Sequence, residues 1–220
     1  EVGNGTIFVI DPAGRVTTIH SVPLSAGTSL TSLVKGSDGR LYGTAAEGGA
    51  AGFGTIFSVD ATGTPTILHS FAGQAAGDGA RPAGLMQNRD GRLYGSTRAG
   101  GESGAGTVYS IEPTGNYTIL HSFDANVDGS QGSTDLLEAS DGNLYGATQE
   151  DTRLFRIDVA DTLTPLANPS GDLAGDLIQG ADGNLYVPTR TGGVFGGGLI
   201  YGRSLQGATM LLVDLTAGPR

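Results

Sequence analysis

The stretch SDGRLYG, residues 37–43, returns three more times along this chain of 220 residues. It recurs as RDGRLYG at 89–95 and SDGNLYG at 140–146, and more loosely as ADGNLYV at 181–187. A catalytic motif normally occurs once, whereas a motif that recurs at intervals of 41 to 52 residues is typical of a repeated supersecondary unit. The heptad therefore predicts a tight turn made by its Asp and Gly, with Leu41 and Tyr42 packed against neighbouring units.

The repeat unit is clearest over residues 30–71, where it reads as four short strands. SLTSLVKG, RLYGTA, GTIFSVD and PTILHSF each carry residues that favour strands, and turn-forming or Gly-rich segments separate them. We refer to these strands as the first to the fourth type. Four strands joined by short connections make an antiparallel meander, and a tandem array of such meanders is typical of a β-propeller.

The number of strands follows from positions that share one register. The third-type strand occurs five times, with its aromatic residue at Phe8, Phe57, Tyr109, Phe155 and Tyr201. The fourth type also occurs five times, but the first and second types occur only four times. We therefore predict an all-β fold, a β-propeller of four-stranded antiparallel blades with about five blades and 18 strands.

The predicted organisation is a single propeller domain over residues 1–220. Its units are expected at about 1–29 for an N-terminal half blade, then 30–81, 82–133, 134–174 and 175–220. The half blade lacks its first- and second-type strands, and the C-terminal unit ends in third- and fourth-type strands. Because neither end can supply the missing pair, the strand count predicts a fragment of a longer chain.

Composition excludes several classes of function. The net charge is −10 with a single lysine, Lys35, which disfavours nucleic acid as a partner because Lys and Arg must displace its counterions. Cysteine is absent, so disulfides, thiolate nucleophiles and sulfur-ligated metals are excluded. No run reaches the 18 or so apolar residues that a membrane span needs.

One composite pattern covers residues 30–71 and 84–123. It consists of L-x-x-L-x-x-G-x-D-G-x-L-Y-G-x-T, followed by a Gly-Gly loop, then G-T-[IV]-[FY], and then T-I-L-H-S-F. In this pattern the chain resembles the GloVer tandem-repeat family, and the resemblance covers most of its length. The last two units have drifted, since TRLFRID lacks the Gly-Thr and LTPLAN the His-Ser. The resemblance implies a bacterial secreted or cell-surface protein and brings no established activity. The strand order also resembles NHL-type propellers, which are mostly interaction platforms.

One loop has the pattern of a calcium site, DANVDGSQGSTD at residues 124–135. Counted as a calcium loop, Asp124, Asn126 and Asp128 occupy positions 1, 3 and 5, Ser130 offers its backbone carbonyl at 7, and Asp135 closes the shell at 12. Ca²⁺ binds six to eight hard oxygens, which alternating short acids on a turning chain can supply. The alternative is a solvated polar loop held by Asx turns.

Other motifs favour structural roles. His20, His69 and His121 occupy the same point on three fourth-type strands, which predicts a repeated packing or hydrogen-bonding role rather than one metal centre. Ser103 in GESGAG fails the nucleophile pattern by one position and is not followed by a predicted helix. Asp172, Asp176 and Asp182 are close in sequence and stay open as carboxylates for glycoside hydrolysis.

These observations predict an extracellular, non-catalytic propeller that binds a glycan, a surface polymer or a protein, with Ca²⁺ bracing the loop at 124–135. One alternative is a structural subunit of an extracellular assembly or filament, which self-associates through exposed strand edges. A second alternative is an enzyme that acts on polysaccharides.

Overall fold

The computed structural model describes residues 6–21, 27–133, 135–150, 152–166 and 171–216. Within these ranges the protein is all-β, and its strands form five antiparallel sheets that follow one another in chain order. The only helix in the described ranges is a 3₁₀ turn at Gln74–Ala76. No helix found there is long and apolar enough to cross a bilayer.

The sheets consist of one strand pair, which we call the half-sheet, and four larger sheets, one to four. The half-sheet contains β1 (Thr6–Ile10) and β2 (Val16–Ser21). Sheet one contains β3 (Thr28–Lys35), β4 (Leu41–Glu47), β5 (Thr55–Val59) and β6 (Pro65–Ser70). Sheet two contains β7 (Gly79–Gln87), β8 (Leu93–Gly100), β9 (Thr107–Ile111) and β10 (Tyr117–Ser122). Sheet three contains β11 (Ser130–Ser133), β12 (Leu137–Glu138), β13 (Leu144–Glu150), β14 (Leu154–Ile157) and β15 (Leu163–Pro165). Sheet four contains β16 (Ile178–Gln179), β17 (Leu185–Pro188), β18 (Gly196–Arg203) and β19 (Thr209–Thr216).

The predicted meander is confirmed, because in each sheet the strands pair in chain order from the first type to the fourth. The predicted total of 18 strands is wrong for the described residues, which form nineteen. The first-type strand of sheet three is split into β11 and β12, and both pieces pair with β13. The split follows from irregular pairing between Ser133 and Leu137, where the first-type strand has more residues than β13.

The recurring heptad closes the hairpin between the first- and second-type strands of each of the four larger sheets. In sheet one Gly39 has a positive φ of 85°, which favours glycine. Asp38 accepts a hydrogen bond from the Arg40 N–H at 3.1 Å and another from the Tyr42 hydroxyl at 2.7 Å. The same bond from Tyr to Asp recurs at residues 94 and 90, 145 and 141, and 186 and 182. The repeated Asp and Tyr therefore hold the turn together.

The hydrophobic core lies between consecutive sheets rather than inside any one of them. One cluster joins sheets one and two through Tyr42, Ile56, Leu85, Leu93 and Tyr109. Equivalent clusters join the half-sheet to sheet one, sheet two to sheet three, and sheet three to sheet four. Each sheet is therefore stabilised mainly by the faces of its neighbours, which is how a tandem array gains stability.

The aromatic residue of the third-type strand lies over the glycine of the Leu-Tyr-Gly segment. Phe57 pairs with Gly43, and a Cβ on Gly43 would come within 2.6 Å of the Phe57 ring. Tyr109 and Phe155 lie in the same way over Gly95 and Gly146. The glycine thus leaves room for a ring that is fully buried at Phe57. Only a residue without a side chain fits beneath it.

The predicted hydrogen-bonding role of the histidines is confirmed for His69 and His121. His69 Nε2 lies 3.0 Å from Asp78, and His121 Nε2 lies 2.9 Å from Asp128, so each histidine binds the aspartate of the loop that follows it. His69 also stacks on Tyr117 with ring centroids 3.7 Å apart. The side chain of His20 lies outside the described residues.

Asp78 is the centre of this network. Burial by itself would raise its pKa, but hydrogen bonds from His69, the Ala72 and Gly79 N–H groups and Tyr117 outweigh burial, and its pKa lies below the ordinary value. Burial and the Asp78 charge together raise the pKa of Tyr117. The ionised carboxylate therefore joins the loop before β7 to strands β6 and β10.

We predict that Asp78→Asn lowers the free energy of unfolding by about 2 kcal/mol at pH 7, because hydrogen bonds to a charged group are lost. Since the pKa of Asp78 is depressed by folding, its stabilisation is present above the unfolded value of about 4 and disappears as the pH falls through the folded value. Urea unfolding at pH 7 and pH 2.5 should show the gap between variant and parent closing at the lower pH. Glu102→Gln, at an exposed site, serves as the control. A gap of equal size at both values contradicts the assignment.

A second prediction compares two residues at the same register position. Phe57→Ala should cost about 3–5 kcal/mol of unfolding free energy, since it empties a buried ring site. Phe8→Ala should cost less than about 1 kcal/mol, because Phe8 is 54% exposed. Denaturant unfolding of the two variants tests this contrast, and similar losses would show that the half-sheet is packed like the complete sheets.

Candidate binding site

Each complete sheet has a first-type strand that departs from regular pairing at the same level. In β3, Leu30 pairs with Ala45 while Ser32 pairs with Thr44, so Thr31 is one extra residue. Such bulges occur preferentially beside functional sites, where they redirect side chains.

The same irregularity recurs in sheets two and three. In β7 two residues, 83 and 84, lie opposite a single residue between the pairs Pro82–Thr97 and Leu85–Gly95. In sheet three, the pairs Ser133–Thr148 and Leu137–Tyr145 are four residues apart on the first-type strand and three apart on β13. The first-type strands of sheets one and two therefore contain one residue more than their partners. Sheet three contains two more, because a further extra residue lies between Ser130 and Ser133.

Sheet four has a longer version of this feature. Leu173 bridges to Thr189 and Ile178 pairs with Tyr186, so that four residues, 174–177, lie opposite two. Asp176 belongs to this extra segment. The irregular segments thus place Gly84, Asp135 and Asp176 at equivalent positions. In sheet one the corresponding position is Ser32, which Thr31 immediately precedes.

These segments surround a cavity of about 260 Å³. We call it the first-strand pocket, lined by Thr31, Ala83, Gly84, Arg98, Asp135, Gln149 and Asp176. Arg98 and Gln149 come from the ends of the second-type strands β8 and β13. The pocket therefore collects two carboxylates, one guanidinium, one amide and one hydroxyl from all four complete sheets.

Asp135 is the most perturbed of these groups. It lies against Gly84, where a Cβ would overlap the Asp135 carboxyl group. Although more than a third of the residue is open to solvent, burial of its carboxyl group raises its pKa, and the nearby Asp176 raises it further. Arg98 opposes both effects. Asp135 therefore takes up a proton more readily than an ordinary aspartate does.

Threonine hydroxyls fix the wall of the pocket on the side of sheet one. Thr31 Oγ1 lies 3.0 Å from the Pro82 carbonyl and 2.8 Å from Thr44 Oγ1, while Thr44 Oγ1 lies 3.0 Å from the Ala83 carbonyl. Two hydroxyl hydrogens supply at most two of these three bonds. The hydroxyls therefore tie β3 and β4 to the bulge of β7.

The residues of the predicted calcium loop are only partly brought together. Asp124 Oδ1 accepts the Asn126 N–H at 2.9 Å, and Asp128 Oδ2 accepts the Asp124 N–H at 3.0 Å in addition to His121. Ser130 begins β11, with its backbone paired to Glu150. The carboxylates of Asp124 and Asp128 are thus hydrogen-bonded within one turn.

Asp135, the last residue of that loop pattern, lines the first-strand pocket instead. No group of three or more His, Cys, Asp or Glu side chains in the described ranges is arranged to hold a metal ion. Calcium binding stays a prediction.

The three aspartates considered for glycoside hydrolysis occupy different surroundings. Asp176 lines the first-strand pocket, whereas Asp172 lies 3.8 Å from Arg190 in a weak ion pair. Asp182 holds the turn of sheet four through Asn184 and Tyr186. The carboxylate that accompanies Asp176 is Asp135, and sequence proximity did not indicate this pair. Ser103 lies in the turn between β8 and β9, so a strand rather than a helix follows it.

Comparing the repeats position by position would have identified part of the site. The residue six positions before the turn aspartate is Ser32, Gly84, Asp135 and Asp176 in successive sheets. The turn itself is repeated while this position changes. Such a contrast separates residues that maintain the fold from residues that are free to carry function. Arg98 and Gln149 share a second variable position, eight residues after the turn aspartate, where sheets one and four have Ala46 and Arg190.

Solved structures share this architecture at low sequence identity. Virginiamycin B lyase from Staphylococcus aureus matches with a TM-score of 0.68 at 16% identity, covering 95% of this chain and 63% of the lyase. A streptogramin B lyase matches with a TM-score of 0.69 at 18% identity, covering 98% and 63%. A gluconolactonase from Xanthomonas campestris matches with a TM-score of 0.59 at 16% identity, covering 96% and 69%. The chain thus spans about 63% of the two lyases.

These similar structures are of the β-propeller type, and at such identities the likeness concerns the fold alone. None of the curated protein sequences matches this chain. Residues 1–171 match the Gloeobacter/Verrucomicrobia repeat, which covers more than half of the sequence and confirms the resemblance read from the Leu-Tyr-Gly segments. The chain is a member of the Gloeobacter/Verrucomicrobia repeat family.

Proposed function

We propose that this chain is a non-catalytic binding module that recognises a hydroxyl-rich ligand, such as the end of a glycan, in the first-strand pocket. The observation that carries this proposal is the extra segment in all four first-type strands. All four complete sheets contribute residues to one cavity, while the turns that maintain the fold are repeated.

The chemistry of the pocket favours hydroxyl groups. Carboxylates accept hydrogen bonds, guanidinium donates them, and an amide does both, so adjacent hydroxyls of a sugar find donors and acceptors together. The lining has no aromatic ring on which a sugar face could stack. Its 260 Å³ lies just below the usual range for pockets that hold drug-sized ligands, which suits one or two sugar units.

We also propose that the protein is a propeller of about five blades and that it is located outside the cell or at the cell surface. The half-sheet and the four larger sheets correspond to a propeller of about five blades, with the first-type strands innermost. Membership of the repeat family supports an extracellular or cell-surface location. The ligand would then be a surface polymer or secreted polysaccharide, or a protein that carries such groups.

An enzyme is the second candidate. Asp135, whose pKa is raised, lines the pocket together with Asp176, and a carboxyl group with a raised pKa can act as a general acid beside a second carboxyl group. The similar solved structures include lyases and a gluconolactonase. Release of product from a bound polysaccharide, lost in Asp135→Asn, would favour this candidate over a binding module.

A structural subunit is the third candidate. The fourth-type strand of sheet four exposes apolar residues, among them Leu211 at 56% and Leu212 at 46%. Large exposed apolar patches mark sites of association. Light scattering that showed a monomer at all concentrations would exclude this candidate.

For the binding module we predict that Asp176→Asn weakens glycan binding about tenfold or more, because one charge-assisted hydrogen bond is worth about 1.5–3 kcal/mol. The ligand is selected from an array of bacterial and plant polysaccharides, and its affinity is then measured by calorimetry. Asp172→Asn is the matched control, since Asp172 lies outside the pocket lining. Equal affinities for the two variants, or no binding by the parent protein, would exclude the pocket as a glycan site.

The calcium prediction concerns a different loop and has its own test. If Ca²⁺ binds at residues 124–135, the melting temperature should be higher in calcium than in chelator, because binding only to the folded state stabilises it. Asp124→Ala should reduce this difference, and Asp172→Ala should not. Identical melting in calcium and chelator would remove the site.

A further inference from the structure

The half-sheet differs from the complete sheets in the exposure of its aromatic residue. Phe8 is 54% exposed, whereas Phe57, Tyr109 and Phe155 at the same register are buried. Each of those three rings lies over the glycine of a second-type strand. Among the described residues β1 pairs only with β2, so Phe8 has no such strand beside it.

A cleft lies beside the free edge of β1. It measures about 350 Å³ and is lined by residues 6–8 of β1 and residues 30–33 of β3. Between sheets one and two, the equivalent space is filled by β3 and β4, whose Thr31 and Thr44 bind carbonyls of β7. The cleft is therefore the place where a first- and a second-type strand pack against the next sheet.

A polar contact recurs at each interface between sheets. Three positions before the turn aspartate, Gln87 accepts the Ser37 N–H at 2.7 Å and Gln179 accepts the Ser140 N–H at 2.9 Å. At the same position Glu138 pairs with Arg89 at 3.3 Å. Each of these side chains reaches the residue before the turn aspartate of the preceding sheet.

Sheet one has Lys35 at this position. Lys35 is exposed and forms no ion pair within the described ranges. An ammonium group only donates hydrogen bonds, so Lys35 cannot accept a backbone N–H as Gln87 does. A matching partner for Lys35 is an acidic side chain. In the Arg89–Glu138 pair the following sheet supplies the acid and the preceding sheet the base, and here the two charges would be exchanged.

We infer that the half-sheet is a docking surface for the first two strands of one further repeat unit. The second strand of that hairpin carries Leu-Tyr-Gly, and the Phe8 ring lies over its glycine. The residue before the turn aspartate of the hairpin is acidic, and this acidic side chain pairs with Lys35. The four second-type strands of this chain, each with a Leu-Tyr pair, are already paired within their own sheets. A folded second copy therefore has no unpaired second-type strand for this surface. The lyases, of which this chain covers 63%, are longer by more than such a unit.

The test adds this hairpin to the protein. A copy of residues 28–49 is fused directly before Glu1, so that seven residues separate its second strand from β1, as residues 48–54 separate β4 from β5. The added copy carries the substitution Ser37→Glu. We expect the melting temperature to rise by about 4 °C, and hydrogen exchange at Ile7–Ile10 to slow about tenfold or more.

Two control fusions isolate the two contacts. Gly43→Leu in the added copy places a side chain where the Phe8 ring must lie, and it should abolish both effects. Ser37→Arg in the added copy, in place of Ser37→Glu, sets like charges together and should lower the melting temperature relative to the Glu version, most clearly at low salt. Equal protection of β1 in the fusions with and without the Gly43→Leu substitution overturns the docking of the hairpin.

The protein without the added hairpin provides the remaining comparison. It should remain monomeric by light scattering, with rapid exchange at Ile7–Ile10 at every concentration. Concentration-dependent protection of β1 together with a dimer mass would instead make a second copy the occupant and would overturn the inference. Equal melting of the Glu and Arg fusions would remove Lys35 as a specificity contact.

Discussion

The structure depends on the contact between the aromatic ring of the third-type strand and the glycine opposite it, which is made in sheets one, two and three. Phe57 lies over Gly43, and the absence of a side chain there lets the ring occupy the sheet face and pack against the preceding unit. Dispersion and apolar burial of such rings between sheets supply the main stabilisation, since a strand pair or a single sheet has too little core of its own. The turn motif keeps this arrangement in register, because Asp38 binds the hydroxyl of Tyr42, whose ring packs on the other face towards sheet two.

Once the sheets are stacked, positions within the repeat have separate tasks. Turn aspartates, tyrosines and glycines recur because each makes the same contact in every sheet. The extra segment of the first-type strand is not needed for pairing, so its residues change from Thr31 to Gly84, Asp135 and Asp176. Gly84 belongs to this variable segment and also shapes the pocket, because its missing side chain provides the space in which Asp135 lies. A site built in this way can change its ligand without changing the fold.

Electrostatics divides the acidic residues in the same manner. Asp78 is held ionised by donors that surround it, so its charge stabilises the loop before β7. Among the described residues no comparable set of donors surrounds Asp135, and burial together with Asp176 raises its pKa. Chemically identical side chains thus serve as a structural anchor in one place and as a responsive group in another. Their surroundings, which differ in the number of N–H and O–H groups directed at the carboxylate, decide the outcome.

The strand order, the turn chemistry and the all-β class could be predicted from the sequence, because they depend on contacts within one repeat and on a period that is visible along the chain. The sequence also located the shared register of Phe8 and Phe57, and the histidine positions. The sequence pattern did not indicate the first-strand pocket, since it grouped Asp135 with Asp124 by their spacing along the chain, whereas the pocket brings Asp135 together with Asp176 and Arg98 from other sheets. Only the tertiary structure decided which strands bulge, which carboxylates meet and which ring stays exposed. Those features arise from the packing of whole sheets, and the pattern within a single repeat does not contain them.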